Sequence, residues 1–319
     1  MDAFPKGKVI LLYATFISLS THPAYFLLRE NMVCYAKKEW GARIMKITAV
    51  KALYFSGTGT TEKVVCALAE ELGLLLHVPV EVYDFTTPPA REAEQCFAAD
   101  ELTIVGVPVY AGRVPNVLLP YLRSHLHGSG GAAIPVVLFG NRNFDDALIE
   151  LRDVLEANGL RAVAGAAFVG EHSFSRVLAA GRPDGEDMAR LSAFARNAAE
   201  KIRALKAFPE EPVAVRGETP IRPYYQPRDR QGNPVNILKV KPLTDLEKCD
   251  NCGLCVQLCP MGSIDAADAS RITGICIKCC ACVKKCPKGA KYYTDEKYLY
   301  HQHELEEGFA RRAEPEVFL

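Results

Sequence analysis

The chain has 319 residues, 49% of them hydrophobic, which is enough for two domains with substantial cores. Its 38 basic and 38 acidic side chains cancel, so the overall charge gives no reason to expect a nucleic acid or an anionic membrane as partner. Nine of the 12 cysteines lie between positions 249 and 286, unlike the spread of a secreted disulfide scaffold. This distribution predicts thiols that are kept reduced, and therefore a cytoplasmic protein.

Residues 1–44 form an N-terminal extension with an apolar run over 9–28. Polar residues and Pro23 interrupt this run, and no small-residue cleavage site follows it. Met45 opens a sequence that is typical of a first strand. The extension is therefore interpreted as a disordered segment or a spurious upstream start, with a peripheral or membrane anchor as the alternative.

Residues 45–207 alternate short apolar strands with amphipathic helices. The predicted strands cover 47–55, 80–84, 102–107, 135–139 and 163–169, and the predicted helices cover 62–76, 116–126, 145–158 and 187–205. Five buried strands separated by helices predict an α/β fold, with a doubly wound parallel five-stranded sheet and helices on both faces.

A loop rich in serine and threonine joins the first strand to the first helix; it reads Ser56, Gly57, Thr58, Gly59, Thr60, Thr61. A helix N-terminus offers free N–H groups and a favourable dipole to a phosphate. The loop lacks both the Gly-Lys-Ser/Thr of a P-loop and the G-x-G-x-x-G fingerprint. It therefore suits the single terminal phosphate of FMN, with a simple helix cap as the alternative.

Two more loops at the same sheet edge are predicted to border the flavin ring. The first contains Pro108, Val109, Tyr110, Ala111, Gly112 and Arg113, and the second contains Gly140, Asn141, Arg142 and Phe144. Tyr110 is the candidate stacking residue, and Arg113 either stabilises the reduced flavin or faces solvent. His172, after the fifth strand, is either a proton relay or, as is commoner for a loop histidine, structural.

Residues 208–245 contain seven prolines and no helical periodicity, and they predict an extended linker. The segment 222–225 (Arg-Pro-Tyr-Tyr) is a candidate anchor on the first domain. A small cluster domain is predicted over 246–292, followed by a charged helical tail over 293–319.

The cluster domain carries one cysteine pattern twice, offset by the 27 residues from Cys249 to Cys276. Each copy reads C-x2-C-x2-C-x3-C-P. A cubane iron–sulfur cluster takes three thiolates from one such loop, and in the bacterial two-cluster arrangement it takes the fourth from the other copy. The predicted ligands are Cys249, Cys252, Cys255 and Cys286 for cluster 1, and Cys276, Cys279, Cys282 and Cys259 for cluster 2.

Zinc is the alternative metal, but a zinc site has no use for a third x2-spaced cysteine followed by Cys-Pro. Cys280 falls outside the repeat, which favours packing over ligation. Five lysines surround the second copy: Lys278, Lys284, Lys285, Lys288 and Lys291. Such a run is usually a solvated face, and docking of an acidic partner or of the flavin domain is the alternative.

The 56–61 loop resembles the phosphate loop of flavodoxins, and the 249–287 repeat resembles a bacterial two-cluster ferredoxin. Over 45–319 the order of the two resembles the flavodoxin–ferredoxin fusion proteins of anaerobic bacteria and archaea. This resemblance implies a flavodoxin-like domain, a small α+β ferredoxin domain, FMN and two 4Fe-4S clusters. One departure is that the ring loops lack a tryptophan, since the only one is Trp40, which implies a more exposed flavin.

These features predict an electron-transfer protein of anaerobic metabolism, in which each cluster passes one electron at a time and FMN holds one or two. Its partners would be redox proteins that donate and accept electrons. No side chains stand out for acid–base or nucleophilic work, so no catalytic residue is predicted. The alternatives are a cluster-fed flavin reductase of a quinone or nitro compound, an iron–sulfur redox sensor, and a membrane-tethered relay.

Overall fold

The computed structural model describes residues 46–319, so the interpretation of residues 1–44 lies outside the described part of the chain. The first domain contains strands β1 (Ala49–Tyr54), β2 (Val80–Asp84), β3 (Gln95–Phe97), β4 (Glu101–Pro108), β5 (Leu126–Gly128), β6 (Ala132–Phe139), β7 (Arg161–Ala162) and β8 (Gly165–Val169). Its helices are α1 (Thr60–Leu76), α2 (Leu119–Ser124), α3 (Ala147–Ala157) and α4 (Gly185–Ala204), with a 3₁₀ turn at Pro88–Arg91. The remainder contains β9 (Leu243–Thr244), α5 (Leu254–Leu258), α6 (Ala281–Lys284), β10 (Lys291–Tyr292), α7 (Glu296–Gly308) and β11 (Glu316–Phe318).

The main sheet has the strand order β2-β1-β4-β6-β8, and these five strands are parallel. Numbered along the chain, that is the order 2-1-3-4-5 of flavodoxin-like doubly wound folds. The central strands β4 and β6 are buried along nearly their whole length, as expected for a parallel sheet covered on both faces. The predicted α/β fold class is therefore confirmed.

The core consists of two layers, one on each face of the sheet. Successive residues of β1 face opposite layers, so Val50, Ala52 and Tyr54 pack with α1 and α4, while Leu53 packs with α2 and α3 on the other face. This arrangement places the loops that follow β1, β4, β6 and β8 at one edge, where doubly wound folds bind ligands.

The C-terminal tail is helical only over α7, and its last residues form β11, which pairs antiparallel with β8 and adds an edge strand to the main sheet. The sequence predicts only a helix there, because three residues are too few to show a period-two pattern. Within 46–319, no helix is both long and apolar enough to cross a membrane.

The linker is held on the first domain by residues 222–225, the segment predicted as its anchor. Tyr225 N–H donates to the Ala111 carbonyl at 2.8 Å, and the Tyr224 hydroxyl donates to the Val114 carbonyl at 2.8 Å. The buried Asp146 carboxylate accepts from the backbone N–H and the guanidinium of Arg222, at 2.8 and 2.9 Å for N and Nε. These hydrogen bonds from Arg222 lower the pKa of Asp146 to about 2.

We expect Asp146→Ala to reduce the free energy of unfolding by about 1–2 kcal/mol, because the backbone N–H groups of Glu218 and Arg222 and the half-exposed Arg222 guanidinium lose their buried acceptor. The matched control is Glu218→Ala, whose exposed carboxylate lies 3.4 Å from Arg222 and should contribute below about 0.5 kcal/mol. Urea denaturation of both variants measures the difference. Equal effects of the two substitutions would contradict the role of Asp146 in holding the linker on the first domain.

Candidate cluster and flavin sites

The first cavity of the cluster domain is lined by Cys249, Cys252, Cys255 and Cys286, the set predicted for cluster 1. Its volume is about 340 Å³, including its open side. Cys252 is exposed, and the other three thiols are half-buried.

The second cavity, of about 390 Å³, is lined by Cys259, Cys276, Cys279 and Cys282, the set predicted for cluster 2. Burial raises the pKa of Cys282 to about 12 and raises that of Cys279 further. These thiols therefore hold their protons until a metal displaces them.

The two cavities are separate, and each takes three cysteines from one copy of the repeat and one from the other. Among residues 46–319, no group of three or more His, Cys, Asp or Glu side chains is placed to hold a single metal ion. The donor set, four soft thiolates around each cavity, fits the chemistry of an iron–sulfur cluster.

Cys280 occupies a special backbone position, because it is the counterpart in the repeat of Gly253. Both residues have left-handed backbones, with φ of 59° and 73°, and both immediately precede a short helix. The Cys280 thiol is buried and donates to the Lys278 carbonyl at 3.4 Å, and its sulfur lies 3.5 Å from the Tyr298 hydroxyl. Burial raises its pKa to about 11, so Cys280 is a protonated packing residue here.

The loop 56–61 has an open helix N-terminus. The residue that caps α1 is Gly59, with φ of 102°, which has no side chain to occupy the first turn. Gly59 N–H donates to Ser56 Oγ at 3.1 Å, and Ser56 N–H donates to Thr86 Oγ1 at 2.8 Å, which shapes the loop. Thr58 and Thr60 are half-buried beside the helix start. These groups fit a phosphate monoester.

The phosphate loop touches the second cavity. A Cβ atom built on Gly57 would lie 3.1 Å from Cys279 Cβ and 3.5 Å from its sulfur. Tyr110 lies close by: burial first, and then the neighbouring sulfurs of Cys279, Cys280 and Cys276, raise its pKa well above the ordinary value. The FMN loops and the cluster 2 ligands are therefore adjacent.

The ring-loop side chains are largely engaged by other parts of the chain. Arg113 forms a two-point ion pair with the buried Glu150, at 2.7 and 2.6 Å, so it is neither solvent-facing nor a free cation. Asn141 Nδ2 donates to the carbonyls of Phe309 and Arg311, both at 2.6 Å, and holds the C-terminal tail. Phe144 is fully buried in the core.

The remaining residues of these loops contribute backbone or packing. Val109 N–H donates to the Leu138 carbonyl at 2.7 Å, which continues the sheet beyond Pro108. Gly112 is buried with φ of 78°, and Ala111 is exposed. The Arg142 guanidinium lies over the Tyr225 ring, 4.4 Å from its centroid.

His172 is packed and electrically neutral. Its ring lies against Gly140, and its Nδ1 accepts from Phe174 N–H at 3.1 Å, which leaves Nε2 as the protonated nitrogen. Burial, followed by the charges of His301, Lys284 and Arg142, lowers its pKa to about 3. An imidazole in this state does not accept protons near neutral pH, so the structure favours the structural role over the proton relay.

Lys284 attaches the cluster domain to the first domain. Its ammonium forms an ion pair with Glu171 and donates to the carbonyls of His172 and Ser175, both at 2.7 Å. Burial alone would raise the pKa of Glu171, but the hydrogen bond and charge of Lys284 outweigh burial and lower it. On the other side of the interface, Arg91 donates to the Pro260 carbonyl at 2.5 Å.

Only some of the five lysines around the second copy are therefore exposed to solvent. Lys284 docks the domains, Lys278 donates to the carbonyls of Leu238 and Cys276 at 3.2 and 3.3 Å, and Lys291 is buried. Of the two others, Lys288 is exposed and Lys285 is half-buried.

Residues 242–265 match the family model described as Fer4, 4Fe-4S binding domain, so the segment with the first cysteine copy is a 4Fe-4S binding segment. No curated protein matches the sequence. A flavodoxin-like sheet followed by such a segment is the arrangement that the sequence resemblance implies.

Solved structures with similarity to the first domain include a flavodoxin from the domain Archaea, with 15% identity over 49% of this chain and 99% of that chain (TM-score 0.30). A short-chain flavodoxin associated with a non-canonical PDU bacterial microcompartment has 18% sequence identity over 49% of this chain and 99% of that chain, with a TM-score of 0.35. An apo NADH:FMN oxidoreductase has 20% sequence identity over 52% of this chain and 92% of that chain, with a TM-score of 0.35. At these scores the fold assignment rests on the strand order described above.

We expect His172 to stay neutral between about pH 5 and pH 8. Its folded-state pKa lies below its unfolded value, so it stabilises the folded state above about pH 6.5, and this contribution is lost as the pH falls toward 3. Histidine C2–H exchange followed by mass spectrometry measures the titration, with the exposed His303 as reference. A His172 midpoint above about pH 5 would contradict this expectation.

We expect Lys284→Met to weaken docking of the cluster domain by about 2 kcal/mol, because a charged hydrogen bond and two carbonyl contacts are lost. Limited proteolysis of the 208–245 linker should become faster. Lys285→Met is the matched control, since the ammonium of this neighbouring lysine forms no hydrogen bond or ion pair with the described residues, unlike that of Lys284. Equal proteolysis of the two variants would show that Lys284 does not hold the interface.

Proposed function

We propose that this chain relays electrons between two 4Fe-4S clusters and an FMN, and thereby interconverts one-electron and two-electron traffic. The observation that carries the proposal is the contact between Gly57 of the phosphate loop and Cys279 of the second cavity. That contact supports the proposal, because the loop predicted to bind the flavin phosphate packs against a residue predicted to bind cluster 2. An electron carrier needs this proximity, whereas two independent binding domains do not.

The exposure of the two cavities gives the relay an order. Cys252 in the first cavity is exposed, and Cys279 in the second is buried against the first domain. Cluster 1 is therefore the outer site, where a one-electron redox protein would dock, and cluster 2 is the inner site beside the flavin. The clusters carry single electrons, and bound FMN would supply a centre that holds two.

The residues of this chain have binding and positioning roles in the relay. The first turn of α1 and the hydroxyls of Thr58, Thr60 and Thr61 would hold the phosphate. Tyr110 would flank the ring on the side of the second cavity. In the loops described above, Arg113 is ion-paired and His172 is neutral, and this favours a carrier over a reductase that protonates a bound acceptor.

Cofactor analysis after anaerobic purification tests the proposal. About eight iron and one FMN per chain are expected from two clusters and one flavin site. In a dithionite titration, the flavin and cluster absorbances should re-equilibrate through one another. Full clusters without flavin, or four iron per chain, would overturn the relay.

We expect Cys252→Ala to lose about four of the eight iron atoms and to slow flavin reduction by an external one-electron donor, because the outer cluster loses a ligand. Cys280→Ala is the matched control: it removes a cysteine from the same segment but leaves both ligand sets complete. Iron analysis and stopped-flow absorbance measure the two effects. Unchanged flavin reduction in a Cys252→Ala protein that has lost its outer cluster would remove cluster 1 from the path.

A further inference from the structure

The two cysteine copies differ at one buried position that faces a cavity. Ile264 follows Cys259 by five residues and lines the second cavity, while Lys291 follows Cys286 by five residues and lines the first. Both side chains are buried, with 6% and 3% exposed. One cavity therefore has an aliphatic wall where the other has a cation.

The backbone around this position is the same in both copies. Ser263 N–H donates to Cys259 Sγ at 3.4 Å, and Ala290 N–H donates to Cys286 Sγ at 3.3 Å. The next residue pairs antiparallel with a neighbouring segment in each case, Ile264 with Ile272 and Lys291 with Thr244. Backbone hydrogen bonds to these sulfurs do not distinguish the cavities, but the side-chain charge does.

The Lys291 ammonium has neutral hydrogen-bond partners only. It donates to Thr244 Oγ1 at 2.7 Å and to the Ala269 carbonyl, and among the described residues no carboxylate lies within ion-pair distance of it, although the Asp268 carboxylate acts on it at longer range. Burying a lysine without a counter-charge is costly. A cluster held by four thiolates is anionic, so a cluster in the first cavity would supply a counter-charge at the cavity that Lys291 lines.

We propose that Lys291 raises the reduction potential of cluster 1 above that of cluster 2, so that the first electron resides on the outer cluster. The proposal rests on the two-cluster content proposed above. Reduction makes a cluster more negative, and a nearby cation therefore favours the reduced form, since net charge is one of the properties that set cluster potentials.

Solvent exposure acts in the same direction as Lys291, whereas Lys278, whose ammonium donates to the Cys276 carbonyl at 3.3 Å, is a cation near the second cavity and acts in the opposite direction. The first cavity has the exposed Cys252, and water stabilises added charge, whereas the second cavity is more buried. At the rim of the first cavity, Lys288 and Asp250 are 3.8 Å apart and offset each other. Near the second cavity, the neutral Tyr293 hydroxyl lies 4.0 Å from Cys276 Sγ, which is long for a hydrogen bond.

The test is an anaerobic redox titration of the full cluster-loaded chain, followed by EPR, with dithionite as the reductant that adds one electron to each cluster. The unmodified protein should show two one-electron steps. In Lys291→Met, the ratio of reduced to oxidised cluster in the upper step should fall about tenfold at a fixed potential. For a one-electron couple, this change corresponds to a reduction potential that is ~59 mV lower. The lower step should move less.

Two control variants separate charge from packing. Lys291→Arg keeps the positive charge and should keep the upper step in place. Lys288→Met removes an exposed charge at the rim of the same cavity and should leave both steps near their original positions. An upper step that does not move in Lys291→Met, or that moves equally in Lys288→Met, would overturn the inference.

Failure of the inference and failure of the relay have different signatures. Eight iron and two reduction steps with no response to Lys291→Met would reject the role of Lys291 and leave the relay intact. Four iron in the unmodified protein would reject the two-cluster relay itself. If Lys291→Met does not retain its iron, Ile264→Lys is the reciprocal test, because it adds a cation to the second cavity. At a fixed potential, the ratio of reduced to oxidised cluster in the lower step should then increase about tenfold. A lower step that does not move would reject the inference.

Discussion

The close approach of Gly57 to the Cys279 loop is the constraint on which the arrangement of sites depends. A side chain at position 57 would come within 3.1 Å of Cys279 Cβ, so only glycine lets the two segments meet without a shift. Lys284 fixes the same interface by bonding three groups of the first domain. The contact decides which cavity is inner and which is outer, and the proposed order of electron transfer follows from it.

Local patterns predict the parts of the structure that depend on local physics. The strand predicted at 80–84 coincides with β2, and the alternation of five strands with helices predicts the doubly wound parallel sheet. The grouping of cysteines into two cavities was predictable because the repeated spacing matches the bacterial two-cluster arrangement, in which the fourth cysteine of each copy serves the other cluster. Arg113 and Asn141 are different: their partners, Glu150 and the 309–313 segment, are far along the chain, and no local pattern encodes such contacts.

The lysines show why charge counted along a sequence is a poor guide to surface charge. Five lysines near the second cysteine copy suggest a basic face, yet Lys284 lies in the interface with the first domain and Lys291 lines the first cavity. A carboxylate and two carbonyls offset the burial of Lys284, whereas Lys291 has only a hydroxyl and a carbonyl as hydrogen-bond partners. The sequence gives their number, and only the tertiary structure gives their distribution between surface, interface and interior.

The strand β11 has a mechanical consequence for the cluster domain. The linker is fixed to the first domain at Asp146, and the chain returns after α7 to pair with β8. The cluster domain is thus held at both ends, like an inserted module, and cannot swing out as a domain on a single tether would. In the proposed relay, electron exchange between the clusters and the flavin would then proceed at fixed distances, with a rate that is set by tunnelling and driving force and is insensitive to solvent viscosity.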